Sequence, residues 1–205
     1  MKSKWLVPIL PYMAVWAGLF MFKNAWAALL GFHAAILLVI FLRRPQHSFS
    51  IFFQNANKKL FFFTVLLCSL SGLSLYVLRN FLGIASDLRA QLADLGLHDN
   101  IWIWFISYFS IINPLLEEYF WRAMLGSDTR SFYLGDLIYA GYHIMVVWNK
   151  TSPMSIALVI LALTFIGWFW RQLYRKDGSL LTPVISHAVA DLSILLAAFF
   201  MVNPR

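Results

Sequence analysis

Charge is scarce in this chain. Only 12% of its 205 residues are charged and 61% are hydrophobic, against the ~25% charged usual in soluble domains. So little polar surface cannot cover a folded chain of this size in water, which excludes a soluble globular protein. Cysteine is nearly missing too. Cys68 stands alone, which excludes an intramolecular disulfide framework and a cysteine-based metal cage. The net charge is +7, yet the basic residues are scattered singly or in pairs between apolar runs. No stripe for nucleic acid forms from them. The sequence has no HExxH zinc helix, no GxSxG elbow and no P-loop. What remains is a polytopic membrane protein.

A bilayer core takes roughly 20 apolar residues per helix. Runs of that kind cover Trp5–Phe22, Ala25–Leu42, Leu60–Leu82, Ile101–Leu125, Phe132–Trp148, Pro153–Trp170 and Leu181–Val202. Lys23-Asn24 is a tight polar turn, and Arg43-Arg44-Pro45 stops the second run. Lys150-Thr151-Ser152-Pro153 and Arg175-Lys176-Asp177-Gly178 separate the last three. The runs are continuous, without the in–out alternation of a membrane barrel. The expected fold is therefore all-α: a transmembrane helical bundle of about seven spans in one domain, residues 1–205. Within it, 1–82 hold three N-terminal spans, 83–100 an interfacial linker and 101–202 a four-helix core.

Lys and Arg favour the cytoplasmic side. With the N-terminus inside, the inner segments hold ten (Lys2, Lys4, Arg43, Arg44, Lys58, Lys59, Arg130, Arg171, Arg175, Lys176). The outer segments hold five (Lys23, Arg79, Arg89, Lys150, Arg205). The expectation is N-terminus in and C-terminus out, in the plasma membrane of a prokaryote. Met1–Lys4 and Ala25-Trp26-Ala27 loosely resemble a secretory signal, but Lys23, Asn24, Pro8 and Pro11 interrupt it, and cleavage is not expected. In Gly83–Asn100, Leu88, Leu92, Leu95 and Leu97 alternate with Asp87, Arg89, Asp94 and Asp99. That pattern reads equally as an amphipathic interfacial helix and as a plain connector. Trp102, Trp104, Trp148, Trp168 and Trp170 suit interface belts.

Ionisable groups inside spans are costly and are functional candidates by default. The chain has only two glutamates, Glu117 and Glu118, and both lie within the fourth span. Glu118 and Arg122 are four apart and share a helix face, which suits an ion pair. Glu117 points about 100° away, towards another neighbour. Two adjacent carboxylates cannot both ionise cheaply in low dielectric. Arg122 compensates Glu118, leaving Glu117 as the candidate general base. The fifth span carries His143, with Tyr139 one turn earlier as a candidate substrate contact and Gly141 permitting close helix approach. The seventh carries His187 and Asp191, four apart. Under the expected topology these groups sit roughly 9–16 Å below the inner surface, a single layer. His33 has no ionisable partner nearby and reads as a packing residue, Cys68 as a small buried side chain, and Asp136 as a carboxylate at a helix start.

Glu117-Glu118-x-x-x-Arg122, Tyr139-x-x-x-His143 and His187-x-x-x-Asp191 follow one another on successive hydrophobic segments. This ordered trio resembles the CPBP family, the CAAX proteases and bacteriocin-processing enzymes also called Abi. The resemblance covers about residues 101–202. It implies a glutamate-dependent intramembrane endopeptidase in which Glu117 and His143 activate water and Glu118 and Arg122 form a supporting pair. His187 and Asp191 stabilise the oxyanion. Tyr139 stands where Phe is common, and Asp191 where Asn is common. An ionised carboxylate cannot donate to an oxyanion, so Asp191 is expected to orient His187, and Asp191→Asn to retain folding and substantial activity. No cofactor is expected. Zinc is the alternative, held by Glu117, His143, His187 and Asp191.

The expected partners are the bilayer and a membrane-anchored or lipidated protein, cut near the cytoplasmic face, with no nucleic acid. Two other readings use some of the same residues. One is a proton-coupled transporter, since intramembrane Glu, His and Asp serve as relays, although no inverted repeat of broken helices is visible. The other is a non-catalytic scaffold or resistance protein of the same fold.

Overall fold

A computed structural model describes residues 6–44, 49–54 and 56–203. The expected start of the first span at Trp5, the stop at Pro45 and the charges on Lys2, Lys4 and Arg205 lie outside the described residues. Among the described residues all regular structure is helical.

The first apolar run forms α1 (Ile9–Trp16), continued by a π-helical turn over Ala17–Met21. Lys23 then takes a left-handed conformation (φ 47°). The Asn24 side chain accepts the Ala27 N–H at 2.8 Å, capping α2 (Ala25–Arg43). The expected polar turn is therefore a reversal followed by a helix cap. α3 (Lys58–Ser69) is capped by Asn57 in the same way and passes through Leu70 into α4 (Ser71–Val77). After the short α5 (Leu88–Asp94), α6 (Ile101–Glu118) runs into a second π-helical segment, Tyr119–Met124. α7 (Leu134–Gly141) and α8 (His143–Val147) follow. α9 (Pro153–Asp177) begins with Ser152 as N-cap and Pro153 in the first turn, and Gly178 at φ 63° ends it. α10 (Leu181–Val202) completes the chain.

α10 is the pivot of the bundle. It packs against α3, α4, α6 and α9, while α1 lies on α2, α2 on α6, and α7 on α9. Four helical stretches are long and apolar enough to cross a membrane: Ala25–Arg43, Lys58–Val77, Pro153–Asp177 and Leu181–Val202. Ile9–Met21 and Leu134–Val147 are shorter apolar helices. α6 has 18 residues, but Asn113, Glu117 and Glu118 dilute its apolar character. Phe62, Phe63 and Leu66 on α3, Leu37 and Leu38 on α2, and Leu161 and Phe165 on α9 are exposed. An apolar skin of this extent suits lipid, not water. The chain is an integral membrane protein with an all-helical bundle.

Several sequence expectations need correction. The third and fifth spans are not single helices: one is divided at Leu70, the other at Tyr142. The sixth does not stop at Trp170 but continues to Asp177. Arg171 is consequently no loop charge. It is 1% exposed and pairs with Asp136. Its guanidinium donates to both Asp136 oxygens at 2.8 Å and to the carbonyls of Ser127, Thr129 and Ser131. Full hydrogen bonding of this kind is what makes a buried charge tolerable. It ties the 125–133 connection to α9, and Asp136 also accepts the Tyr133 N–H at the start of α7. In the 83–100 stretch only Leu88–Asp94 is helical, and Leu88 and Leu97 are buried against α2, α6 and the end of α10. These leucines serve the protein core, as does Trp102, 3% exposed against Phe199 and not in a belt.

Candidate functional site

α6 brings both glutamates into the protein interior. Pro114 lies inside the helix and lacks an N–H to bond the preceding turn. The ladder changes to π spacing at Tyr119, an irregularity that often marks functional sites. Glu117 and Glu118 are both 0% exposed and Arg122 is 2% exposed.

Glu118 is the hub. Its Oε2 lies 3.1 Å from Arg122 Nε, the i,i+4 pair expected from spacing. Its Oε1 lies 2.8 Å from His187 Nδ1. The Arg122 guanidinium in turn sits 4.1 Å above the Tyr139 ring and 5.7 Å from Trp170, so its flat faces are covered by aromatic rings. Gly167 of α9 makes this stack possible. A Cβ there would come within 2.7 Å of Tyr139 Cδ1 and 3.5 Å of an Arg122 terminal nitrogen.

Glu117 faces another way, as the 100° rotation demands. Its Oε1 accepts a short hydrogen bond from the Tyr142 hydroxyl. Its Oε2 has no hydrogen-bond partner among the described residues and lies 3.8 Å from His187 Nε2. The same His187 nitrogen is 3.5 Å from Asp191 Oδ1, and Trp170 stacks on the imidazole at 4.5 Å. Both ring nitrogens of His187 therefore face carboxylate oxygens. Carboxylates only accept, so a ring protonated at both nitrogens donates to both sides. Three carboxylates (Glu117, Glu118, Asp191) surround the Arg122 guanidinium and the His187 ring.

Glu117, Glu118, Arg122, Tyr139, His187 and Asp191 thus come together from α6, the π-helical segment that continues it, α7 and α10. His143 stands one residue further out. It stacks on Tyr142 at 4.0 Å, meets Tyr139 edge-on at 5.9 Å, and its Nδ1 faces the Ala140 carbonyl at 3.2 Å, so it joins the group through both tyrosine rings. Tyr139, the candidate substrate contact, is 1% exposed beneath Arg122. Gly141 does permit close approach, by α1: a Cβ there would lie 2.5 Å from the Tyr12 hydroxyl. As to a metal, no group of three or more His, Cys, Asp or Glu among the described residues is arranged to hold an ion.

Sequence reasoning missed Tyr142, Asn113 and Trp170. Tyr142 was adjacent to the marked His143, and Asn113 lies one turn before Glu117 on the same face. Trp170 was assigned to a belt, but it is 2% exposed and covers His187. His33 is also more than packing. It is 2% exposed and contacts Tyr108 and Asn113, and Asn113 reaches Asp191.

Residues 99–193 match a family described as type II CAAX prenyl endopeptidase, Rce1-like. No curated protein and no solved structure matches the chain.

Proposed function

From the match of residues 99–193 to the Rce1-like type II CAAX prenyl endopeptidases, we propose that the chain hydrolyses a peptide bond in a lipidated or otherwise membrane-anchored protein. Glu117 is the general base. The cleavage lies near the cytoplasmic face of the membrane, with the N-terminus inside.

The observation that carries this reading is the state of Glu117. One oxygen is held by the Tyr142 hydroxyl, and the other is buried, unbonded and beside His187 Nε2. A fixed carboxylate with one open oxygen is suited to take a proton from water. Hydroxide so formed attacks the scissile carbonyl. The resulting oxyanion accepts a hydrogen bond from His187 Nε2–H, already oriented by Glu118 at Nδ1. The C–N bond then breaks, and the proton taken by Glu117 passes to the departing amine. Glu117 returns to its starting state. Arg122 neutralises Glu118, and His143 supports the base through the Tyr142 ring. These steps use no ion.

The test compares the termini of membrane proteins, by mass spectrometry, in cells carrying wild type or Glu117→Gln. A terminus present only with wild type establishes proteolysis and names the substrate. Identical termini, with both proteins folded and expressed, would remove the protease reading in favour of a scaffold or carrier.

A further inference from the structure

A chain of polar side chains runs into the site from α2, outside the matched segment. His33 is 2% exposed and Asn113 is 2% exposed. His33 Nδ1 is 3.2 Å from the Tyr108 hydroxyl, and His33 Nε2 is 3.2 Å from Asn113 Oδ1. Asn113 Nδ2 donates to Asp191 Oδ2 at 3.1 Å. Asp191 Oδ1 is the oxygen that faces His187 Nε2 at 3.5 Å.

The chemistry gives this chain one direction. An ionised Asp191 only accepts, so Asn113 must turn its NH₂ end towards it and its carbonyl oxygen towards His33. That oxygen also only accepts, so His33 must carry its hydrogen on Nε2. Nδ1 is then an acceptor, and the Tyr108 hydroxyl donates to it. Every donor points towards Asp191. Hydrogen bonds in line polarise one another, and each buried group keeps its partner.

Without His33, the buried Asn113 carbonyl oxygen loses its donor and the amide is tied only at its Asp191 end. Rotation of the amide to satisfy that oxygen swings the NH₂ end off Asp191 and releases Asp191 from its place beside His187. We infer that His33 is a positioning residue for the site: through Asn113 it fixes the amide orientation that holds Asp191, and with it His187, in place. The functional part of this inference rests on the protease reading, whereas the orienting role does not.

The test is a double-mutant cycle on the purified full chain in proteoliposomes, with a farnesylated fluorogenic CAAX tetrapeptide as probe. His33→Ala lowers kcat about tenfold and leaves KM within about twofold, because the substrate does not touch His33. His33→Gln, whose amide N–H donates to the same Asn113 oxygen, recovers activity to within about threefold and covers the case in which the alanine variant fails to fold. In an Asp191→Asn background, where residue 191 presents both a donor and an acceptor, the orientation of Asn113 ceases to matter. There His33→Ala costs less than about twofold. Equal losses in both backgrounds would overturn the inference, as would failure of Gln to rescue. Thermal midpoints in detergent supply a reading independent of cleavage. The losses from His33→Ala and Asp191→Asn should be non-additive although the two residues have no direct bond. If wild type and Glu117→Gln are equally inert on the peptide, the protease reading fails on this substrate class. The thermal cycle then decides the relay alone, with additive losses refuting it.

Discussion

Replacing Tyr142 by Phe removes one atom and isolates the group that fixes the base. The ring itself is held by packing. It stacks on His143 at 4.0 Å, meets Phe32 at 5.0 Å and stands edge-on to Tyr12 at 6.1 Å. None of these contacts needs the hydroxyl, so Phe should occupy the same volume. What disappears is the hydrogen bond to Glu117 Oε1, the carboxylate's one hydrogen bond among the described residues. A hydrogen bond to a charged group is worth roughly 1.5–3 kcal/mol. With ~1.36 kcal/mol per tenfold in rate, its full expression in the transition state corresponds to a fall of about 10- to 150-fold in kcat. KM should stay within about twofold, because the hydroxyl is turned to the base. The assay is cleavage by proteoliposomes containing each variant at matched folded concentration, checked by detergent thermal unfolding. A folded Tyr142→Phe protein with kcat within about twofold of wild type would refute the idea that Tyr142 positions Glu117.

Other substitutions probe the scaffold. Asp136→Asn leaves Arg171 buried with only carbonyl partners, and breaking a buried pair costs about 3–5 kcal/mol. At about 2–4 °C per kcal/mol for a chain of this size, the thermal midpoint should fall by roughly 6–20 °C. Asp136→Asn combined with Arg171→Met should recover part of that loss, and a shift under about 2 °C in the single variant would contradict it. Gly167→Ala places a methyl 2.7 Å from Tyr139 Cδ1. Overpacking costs about 1–3 kcal/mol and outweighs the ~1 kcal/mol that Ala gains over Gly in a helix. Displacing the ring under Arg122 should lower cleavage at least about tenfold with helicity retained by circular dichroism, and unchanged cleavage would show that the ring has room.

The helical bundle was legible because its signal is coarse. Apolar runs of span length, and the breaks at Lys23-Asn24 and Lys150-Thr151-Ser152-Pro153, follow from composition and local chemistry. The Glu118–Arg122 pair was equally legible, since four residues on a helix fix the geometry without help from the rest of the fold. Breaks at Leu70 and Tyr142 were not, because neither residue carries a breaking signal and tertiary packing decides. Trp170 shows the same limit. Its amphipathic character suits a membrane interface, yet a ring that stacks on His187 looks identical in sequence. Asn113 was masked by ordinary chemistry: an Asn before Pro reads as a helix irregularity, and only the fold reveals His33 on one side and Asp191 on the other.

The site also draws on more of the chain than its motifs occupy. Tyr12 of α1 donates to the Ile138 carbonyl and lies against Gly141, so it fixes the segment from which Tyr142 reaches Glu117. His33 of α2 reaches Asp191 through Asn113. One N-terminal helix therefore bears on the base and the other on the histidine proposed to hold the oxyanion. Burial explains why both are needed. Glu117 and Glu118 have no water-exposed surface to relax into, so every unmatched orientation carries the full cost of an unsatisfied polar group. Constraint from α6 and α10 alone fixes Glu118 and His187, since they bond each other. Glu117 and Asp191 have no such mutual bond; Tyr142 and Asn113 hold them, and Tyr12 and His33 from the N-terminal half brace those two in turn.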